Sequence, residues 1–385
     1  MPKKNIATIY FLSFVWSVAI ALPTFIQSSF IEELFGLRVV GLLIMLSTAL
    51  TLLAMLGYAD FIKRYTHNRV VMLVLAADVF SLIGLISMRE KWAAAIFFVI
   101  QFICMHLLVL SMDIFLENQS DNEHTGQIRG LLLTTISMAG LFSPIIAGHV
   151  VQYFPYTMVY FISAMILIPT FFILIINRKL LSITVSYRRQ RLRQWLGSFR
   201  IQQPDLVNIF WLNLMLSVFF SVMIFYAPIY LNQHIGFDWA EIGVLFTIML
   251  IPFVLFQAPA GAIADKFLGE KEIALTGLFL MIASVMAIPS LGTKNFVAWA
   301  VILFTGRSGV ALLRSMIDSY FFKKIDIVDI DIINAFRALT PLGYLIGSAG
   351  VTLILFFLPF KFIFVALAIV LFFGIRPALK LHDTK

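Results

Sequence analysis

The chain has 385 residues, of which 61% are hydrophobic and only 12% are charged, and its formal net charge is +8. Because a soluble domain is about half apolar and about a quarter charged, this composition excludes an ordinary soluble domain and predicts a protein with lipid as its solvent. Apolar runs of about 20 residues or more then predict helices, since a helix satisfies its own backbone hydrogen bonds within the bilayer.

Apolar runs and the polar breaks between them predict twelve membrane-spanning helices. They lie near residues 5–30, 37–57, 69–88, 91–116, 127–153 and 155–176 in the first half, and near 206–232, 238–262, 272–290, 296–322, 332–358 and 360–378 in the second. The run from Ile6 to about Gln27 is longer than the apolar core of a secretory signal, about 7 to 15 residues, so it is interpreted as the first span. Pro155 and Pro359 interrupt nearly continuous apolar sequence and predict two of the joins between spans.

Lysine and arginine are distributed unevenly between alternate loops, which predicts the orientation in the membrane. If both termini are cytoplasmic, the outside holds only Arg38, Arg89, Lys91, Lys294 and Lys361. The cytoplasmic side then holds the central loop and Lys3, Lys4, Lys63, Arg64, Arg69, Arg129, Lys266, Lys271, Lys323, Lys324, Arg376, Lys380 and Lys385. We therefore predict a protein integral to the cytoplasmic membrane with both termini inside. Its positive charge then follows from topology, and no nucleic-acid partner is needed.

A basic linker, residues 177–205, divides the chain into an N-terminal half, 1–176, and a C-terminal half, 206–385. The linker carries seven lysines and arginines, namely Arg178, Lys179, Arg188, Arg189, Arg191, Arg193 and Arg200, before its first acid, Asp205. Leu192, Trp195, Leu196 and Phe199 have the i, i+3, i+4, i+7 spacing of a helix lying on anionic lipid headgroups. A plain cytoplasmic linker explains the same charges, and the sequence leaves both interpretations open.

Acidic landmarks repeat at one offset in the two halves. Asp60 follows the second predicted span and Asp265 the eighth, 205 residues later. Asp113 lies near the cytoplasmic end of the fourth span and Asp318 near that of the tenth, again 205 residues later. Equal offsets at equivalent topological places indicate a duplication of six spans. We therefore predict an all-α integral membrane protein of about twelve helices in two pseudo-symmetric six-helix bundles.

The segment from Gly261 to Lys271 resembles the cytoplasmic signature of the major facilitator superfamily, with glycine four residues before Asp265 and then basic residues around a second glycine. The first-half copy is degraded, because Gly57 stands one residue late and the second glycine is missing. The resemblance implies a transporter fold whose halves are latched on the cytoplasmic side. It would make Asp60 and Asp265 helix-capping acids, with Lys63 or Arg64 facing Asp113 and Lys266 facing Asp318. Ordinary juxtamembrane charges remain the alternative.

The fifth predicted span resembles the antiporter signature of that family in its small residues, Gly130, Ala139, Ser143, Pro144, Ala147 and Gly148. Several glycines of that signature are alanine or serine here. The resemblance implies export, but close helix packing would select the same residues, so both interpretations stay open. Pro341, Gly343, Gly347 and Gly350 of the eleventh span are interpreted as packing residues.

Charged residues at bilayer depth cost about 2.5 to 3.5 kcal/mol each on insertion scales, so each is expected to have a partner or a function. In the resembled family the first, fourth, seventh and tenth spans line the transport path. This implies as candidates for binding solute or coupling ion Trp16, Gln27, Gln101, His106, Asp113, Asn213, Tyr226, Arg307 and Arg314.

Three ionisable residues near the bilayer midplane leave alternatives open. Arg307 suits a carboxylate or phosphate of the solute, or equally a structural ion pair with Asp78 or Asp113. His106 suits a coupling proton or a satisfied interior histidine. Asp78 lies on a span that is usually peripheral in the family, which favours a structural pair, and an adjacent antiparallel helix could bring it to His106.

The function that these features predict is secondary active transport of a small solute by alternating access, with proton-coupled efflux as the specific form. A polytopic membrane enzyme, such as a lipid-linked transferase, and a non-coupled channel or scaffold are the alternatives. The outer loops are short and the six histidines show no ligand spacing, so no catalytic residue, metal or cofactor is predicted. The single cysteine, Cys104, excludes a disulfide framework. The expected partners are the solute, lipid and protons, and a monomer is expected.

Overall fold

The computed structural model describes residues 3–87, 90–119, 125–176, 204–266, 269–324 and 330–381. Over these residues the chain forms helices joined by short turns and contains no strand. The proposed interfacial helix of the central linker lies outside the described residues. The predicted all-helical class is therefore confirmed for the described part of the chain.

The helices of the first half are α1 Lys3–Thr24, α2 Gln27–Phe35, α3 Leu37–Tyr65, α4 His67–Ser87, α5 Lys91–Gln119, α6 Thr125–Tyr153 and α7 Thr157–Ile176. Those of the second half are α8 Pro204–Phe225, α9 Ala227–Tyr230 with a π-helical turn at Leu231–Ile235, α10 Trp239–Lys266, α11 Glu270–Ala287, α12 Phe296–Lys324, α13 Ile330–Phe357, α14 Phe362–Phe373 and α15 Ile375–Leu379. Ile288–Ser290 adds a 3-10 turn after α11. Ten helical segments among the described residues are long and apolar enough to cross a membrane, and the shorter apolar stretch Thr157–Ile173 lies in α7. With α6 they occupy the places of the twelve predicted spans.

Two prolines interrupt helical structure where the sequence predicts it. Pro155 lies between α6 and α7, and Pro359 lies between α13 and α14, each outside helical structure. Residues after each proline close a turn, with Met158 N–H donating to Pro155 O at 2.9 Å and Phe362 N–H donating to Pro359 O at 3.0 Å. These prolines therefore turn a long apolar run into two antiparallel helices.

The first span of each half is broken, which the sequence analysis did not predict. α1 ends at Thr24 and α2 begins at Gln27, after a turn in which Ile26 N–H donates to Pro23 O at 3.0 Å. In the second half α8 ends at Phe225, and Pro228 occupies the first turn of α9. Pro23 and Pro228 are separated by the same 205 residues as the acidic landmarks. The predicted helices 5–30 and 206–232 are thus wrong in their continuity, because hydropathy does not register a proline bend inside an apolar run.

Two compact units make up the chain. The first comprises Met1–Ser186 with Asp238–Thr247, and the second comprises Tyr187–Phe237 with Ile248–Lys385. In the first unit α1 packs against α6 and α7, and α4 packs against α5 and α7. In the second unit α8 packs against α13 and α14, and α11 packs against α12 and α14. The predicted division into residues 1–176, 177–205 and 206–385 remains a prediction.

The same pairs of helices form in both units, in agreement with the predicted duplication. Helix positions agree as well, since α5, α6 and α7 begin 205 residues before α12, α13 and α14. Two sets of helices that share register and pairing indicate one six-helix unit used twice.

Large apolar side chains lie on the outside of both units. Phe80 and Ile96 of the first unit, and Phe279, Val297 and Phe372 of the second, are each more than half exposed. A soluble protein rarely exposes contiguous apolar surface on this scale. These faces are those that contact lipid acyl chains.

Glycines let the helices of the second unit approach closely. A Cβ on Gly277 of α11 would lie 2.7 Å from Gly309 O of α12, and a Cβ on Gly309 would lie 2.8 Å from Met281 Cγ. In α13, Gly347 lies against Ser221, whose side chain would be 2.8 Å from an added Cβ, and Gly343 lies against Ser217. Gly350 has no atom within 4 Å of such a Cβ. The packing role predicted for the glycines of α13 therefore holds for Gly343 and Gly347 but not for Gly350.

Candidate functional site

Arg307 is a permanent charge buried in the second unit. It lies on α12 in the middle of an apolar stretch and is only 5% exposed. Its Nε and Nη1 atoms are buried and donate no hydrogen bond to any described atom. No carboxylate among the described residues pairs with it, whereas Arg314 on the same helix pairs with Asp318. Arg307 therefore keeps hydrogen-bond donors that the described side chains leave unused.

Two aromatic rings flank the Arg307 guanidinium. Its central carbon Cζ lies 5.0 Å from the ring centroid of Phe220 on α8 and 4.9 Å from that of Phe253 on α10. Each ring presents its negative face to the cation, which stabilises the charge by about 0.5 to 2 kcal/mol per contact. This offsets part of the cost of burial but supplies no hydrogen-bond acceptor.

Arg314, two helical turns further along α12, is by contrast neutralised. Its Nε donates to Asp318 Oδ2 at 2.9 Å, and its Nη1 donates to Asn213 Oδ1 at 3.3 Å. Asn213 Nδ2 in turn donates to the carbonyl of Phe336 on α13 at 3.2 Å. The network thus connects α8, α12 and α13, and Asp318 compensates the charge of Arg314.

Tyr344 of α13 connects the two arginines electrostatically, since it interacts with both Arg307 and Arg314. Its ring packs edge-on against Phe225 of α8 at 5.4 Å. The site therefore contains four residues of the second half that the sequence analysis named: Arg307, Arg314, Asn213 and Asp318.

Tyr226 lies elsewhere in the same unit. It is fully buried at the break after α8, beside Ser348 and Thr352 of α13. Ser221 also reaches this hydroxyl cluster, with its Oγ 3.2 Å from Ser348 Oγ. Tyr226 therefore belongs to the α8–α13 packing surface, and no contact with Arg307 is recorded among the described residues.

The first-unit candidates form a separate set of buried polar groups. Trp16 of α1 and Gln101 of α5 are buried, as is Gln27 at the start of α2. The Trp16 Nε1, Gln27 Oε1 and Gln101 Oε1 atoms have no hydrogen-bond partner among the described residues. Binding of solute or coupling ion by these groups stays a prediction.

His106 and Asp78 are not joined by a hydrogen bond or ion pair. His106 Nδ1 lies 2.8 Å from Phe102 O, and its ring packs on the Phe102 ring with centroids 4.5 Å apart. Asp78 of α4 is 2% exposed, and its Oδ1 atom has no partner among the described residues. The thiol of Cys104 on α5 interacts with it electrostatically. The structural pair that the sequence favours for Asp78 is therefore not found among the described residues.

The cytoplasmic motif is described only in part. Asp60 and Arg64 are exposed at the end of α3, and Arg64 lies 5.4 Å from the centroid of the Tyr65 ring. Gly57 has room for a side chain. The side chains of Lys63, Asp113, Asp265 and Lys266, and the surroundings of Gly261, are not described, although these residues have helical backbones. The predicted latch therefore stays a prediction.

Small residues of the fifth predicted span pack within the first unit. Gly148 of α6 lies against Gly243, since a Cβ on Gly148 would come within 2.9 Å of Gly243 Cα. Close packing therefore explains Gly148.

Sequence reasoning did not identify the aromatic wall around Arg307. Phe220, Phe253 and Tyr344 come from three different helices, and 39 phenylalanines in the chain make any single one uninformative. No group of three or more potential metal ligands is found among the residues described.

Comparison with known protein families gives one match. A profile described as Major Facilitator Superfamily matches residues 6–326, well over half of the chain. No individually curated protein matches. The match extends from the first half into the second, and it agrees with the all-helical membrane fold and with the resemblance of the Gly261–Lys271 segment. The chain is an integral membrane protein that belongs to the Major Facilitator Superfamily of secondary transporters.

Proposed function

We propose that the protein carries a small anionic solute across the cytoplasmic membrane by alternating access, with Arg307 as the group that binds the anion. The observation that carries the proposal is the burial of Arg307 with two donor atoms unused and no carboxylate partner among the described residues. A permanent charge at this depth costs several kcal/mol unless something compensates it. An anionic solute would supply the compensation that the described side chains do not.

The guanidinium is also the group that chemistry selects for this task. It is planar and always charged, and it donates parallel hydrogen bonds to two oxygens of a carboxylate or phosphate. The Phe220 and Phe253 rings lie close to it, with centroids 5.0 and 4.9 Å from its central carbon. Binding of the solute would then be strongest when these rings exclude water, because electrostatic attraction grows as the local dielectric falls.

The Arg314 network provides a frame for this site. Asp318 and Asn213 fix Arg314 between α8 and α12, so the helix that carries Arg307 is tied to its neighbour two turns away. We propose that this network positions α12 and that Arg314 does not bind the solute directly.

A proton is the coupling ion that we propose, with export of the solute as the direction. Asp78 is the better proton carrier of the two midplane candidates, because its carboxyl is buried and unpaired among the described residues, whereas His106 Nδ1 already bonds Phe102 O. An unpaired buried carboxylate is expected to be neutral, and it would release its proton only when water or a cation reaches it. The Cys104 thiol on α5 is a titratable group that interacts electrostatically with it.

Replacement Asp78→Asn is expected to separate exchange from proton coupling. The amide imitates the protonated carboxyl, so solute exchange between the two sides of a proteoliposome should persist while transport driven by a pH gradient falls to background. Exposed Glu90, which lies outside every proposed site, gives a matched control, since Glu90→Gln should leave the coupling intact. Proton-driven transport by Asp78→Asn at the wild-type rate would show that another group carries the proton.

The proposed orientation predicts the result of labelling with membrane-impermeant thiol reagents. The lone cysteine, Cys104, is 6% exposed, so its replacement by serine gives a clean background. Gln190→Cys in the central linker and Lys385→Cys should react only from the cytoplasmic side, and Lys294→Cys only from the outside. Labelling of Gln190→Cys from the outside would reverse the topology.

A further inference from the structure

The Arg307 site contains one uncompensated positive charge within apolar walls, and this composition narrows the class of solute. We infer that the solute is an organic monoanion, with a single carboxylate or sulfonate that binds Arg307 and an apolar body that lies among the aromatic side chains. The inference rests on the proposed role of Arg307 and names the substrate class of that same site.

The charges of the two arginines on α12 limit the charge of the solute. Arg307 and Arg314 lie on the same helix, but Arg314 is bonded to Asp318 at 2.9 Å and to Asn213. Of these two arginines, only Arg307 is left without a partner among the described residues. A dianion, such as a phosphate monoester or fully ionised inorganic phosphate, would carry a second negative charge that Arg307 alone does not compensate, and burying an unpaired charge is costly.

No described carboxylate is available at the site for a positive group of the solute. A zwitterion such as an amino acid needs a carboxylate or several acceptors for its ammonium group. Within the described part of the second unit, the carboxylate nearest in the network, Asp318, already accepts from Arg314. The site therefore suits a solute with a negative group but disfavours one that also carries a positive group.

The aromatic side chains near Arg307 favour a solute with an apolar body. The rings of Phe220 and Phe253 lie within about 5 Å of the Arg307 guanidinium carbon, as their centroid distances of 5.0 and 4.9 Å show. Phe225 packs edge-on against Tyr344, which interacts electrostatically with Arg307. A solute rich in hydroxyl groups would lose hydrogen bonds to water against these rings, whereas a phenyl or alkyl body would gain by leaving water.

The unused N–H donors of Arg307 favour an anionic group with more than one acceptor oxygen. Nε and Nη1 of Arg307 are both unused among the described atoms. A carboxylate has two acceptor oxygens for one negative charge, and a sulfonate has three, so either can accept more than one N–H without adding charge. One charge, more than one acceptor and an apolar body together define the proposed solute.

Thermal unfolding of the purified wild-type protein tests this inference with four probes at equal concentration. The assay is run at mildly alkaline pH, where phenylacetate and hexanoate are apolar monoanions, inorganic phosphate is largely a dianion and phenylalanine is still a zwitterion. Phenylacetamide is the neutral control, because it keeps the shape of phenylacetate without the charge. A ligand that binds only the folded state raises the unfolding temperature, by about 2 °C or more at a tenfold excess over its Kd.

We expect phenylacetate or hexanoate to raise the unfolding temperature, and phosphate, phenylalanine and phenylacetamide to leave it unchanged. Arg307→Gln should abolish the shift, and Arg376→Gln, which removes an exposed arginine of the same unit, should retain it. If Arg307→Gln does not fold, the comparison of phenylacetate with phenylacetamide in the wild type still tests the charge requirement. A larger, Arg307-dependent shift with phosphate or phenylalanine would overturn the monoanion inference while supporting anion binding. Shifts that are absent for every anion, or unaffected by Arg307→Gln, would overturn the inference and the proposed role of Arg307 together.

Discussion

Arg307→Ala is expected to fold normally and to lose transport. Because the described side chains offer Arg307 no carboxylate partner, its removal should leave no described acid stranded, and the unfolding temperature should stay the same or rise. Loss of charged hydrogen bonds to the solute should weaken apparent affinity by about 100-fold, equivalent to about 2.7 kcal/mol. Arg307→Lys keeps the charge but not the planar fork, so we expect a loss of about tenfold. Initial rates over a range of solute concentrations in proteoliposomes measure both effects.

The competing interpretation makes Arg307 the structural partner of an acid. Under it, Arg307→Ala would unfold at a lower temperature, and Asp78→Asn or Asp113→Asn in the same chain would restore stability. Asp113 is the more important test of the two, because its side chain lies outside the described residues. Arg376→Ala controls for the loss of one positive charge in the same unit. Unchanged stability together with unchanged kinetics in Arg307→Ala would contradict both interpretations.

Gly309→Val is expected to give the largest loss of folded protein. Gly277 and Gly309 face one another between α11 and α12, and a Cβ on Gly309 would lie 2.9 Å from the backbone nitrogen of Met281. Backbone atoms cannot move aside as a flexible side chain does, so the two helices would have to separate. Overpacking of this kind costs about 1 to 3 kcal/mol or more. Yield of monodisperse protein and its unfolding temperature measure the effect.

Gly350→Val is the matched control for that substitution. Gly350 lies on α13, also inside an apolar helix, and has no atom within 4 Å of an added Cβ. Both variants add the same β-branched side chain to a helical glycine, so the intrinsic change in helix propensity is the same. Equal stability of the two variants would show that the α11–α12 contact does not need glycine.

Much of the fold follows from the sequence because lipid imposes simple constraints. Long apolar runs predict helices, and Pro155 and Pro359 mark joins that the structure confirms. The breaks after Thr24 and Phe225 were not predicted, since a bend inside an apolar run leaves hydropathy unchanged. Pro23 and Pro228, at the common offset of 205 residues, are the signal that would have indicated them.

The candidate site was predictable only where the residue type is rare. A buried arginine stands out in a chain with few intramembrane charges, and so Arg307 was identified from its position alone. The groups that surround Arg307 could not be predicted, because they depend on how α8, α10, α12 and α13 pack. Arg314 illustrates the limit: its spacing of four from Asp318 permits the observed ion pair, but the contact with Asn213 depends on tertiary structure.

Counterflow in proteoliposomes tests the central claim, secondary transport of an anion through Arg307, most directly. Benzenesulfonate is a suitable labelled probe, since it stays charged at neutral pH and does not cross the bilayer as a neutral acid. Vesicles loaded with unlabelled benzenesulfonate should accumulate the labelled anion transiently above equilibrium when they contain wild-type protein or Arg376→Ala. Vesicles with Arg307→Ala should match protein-free vesicles. Equal accumulation by Arg307→Ala and wild type, or none by wild type, would contradict the account.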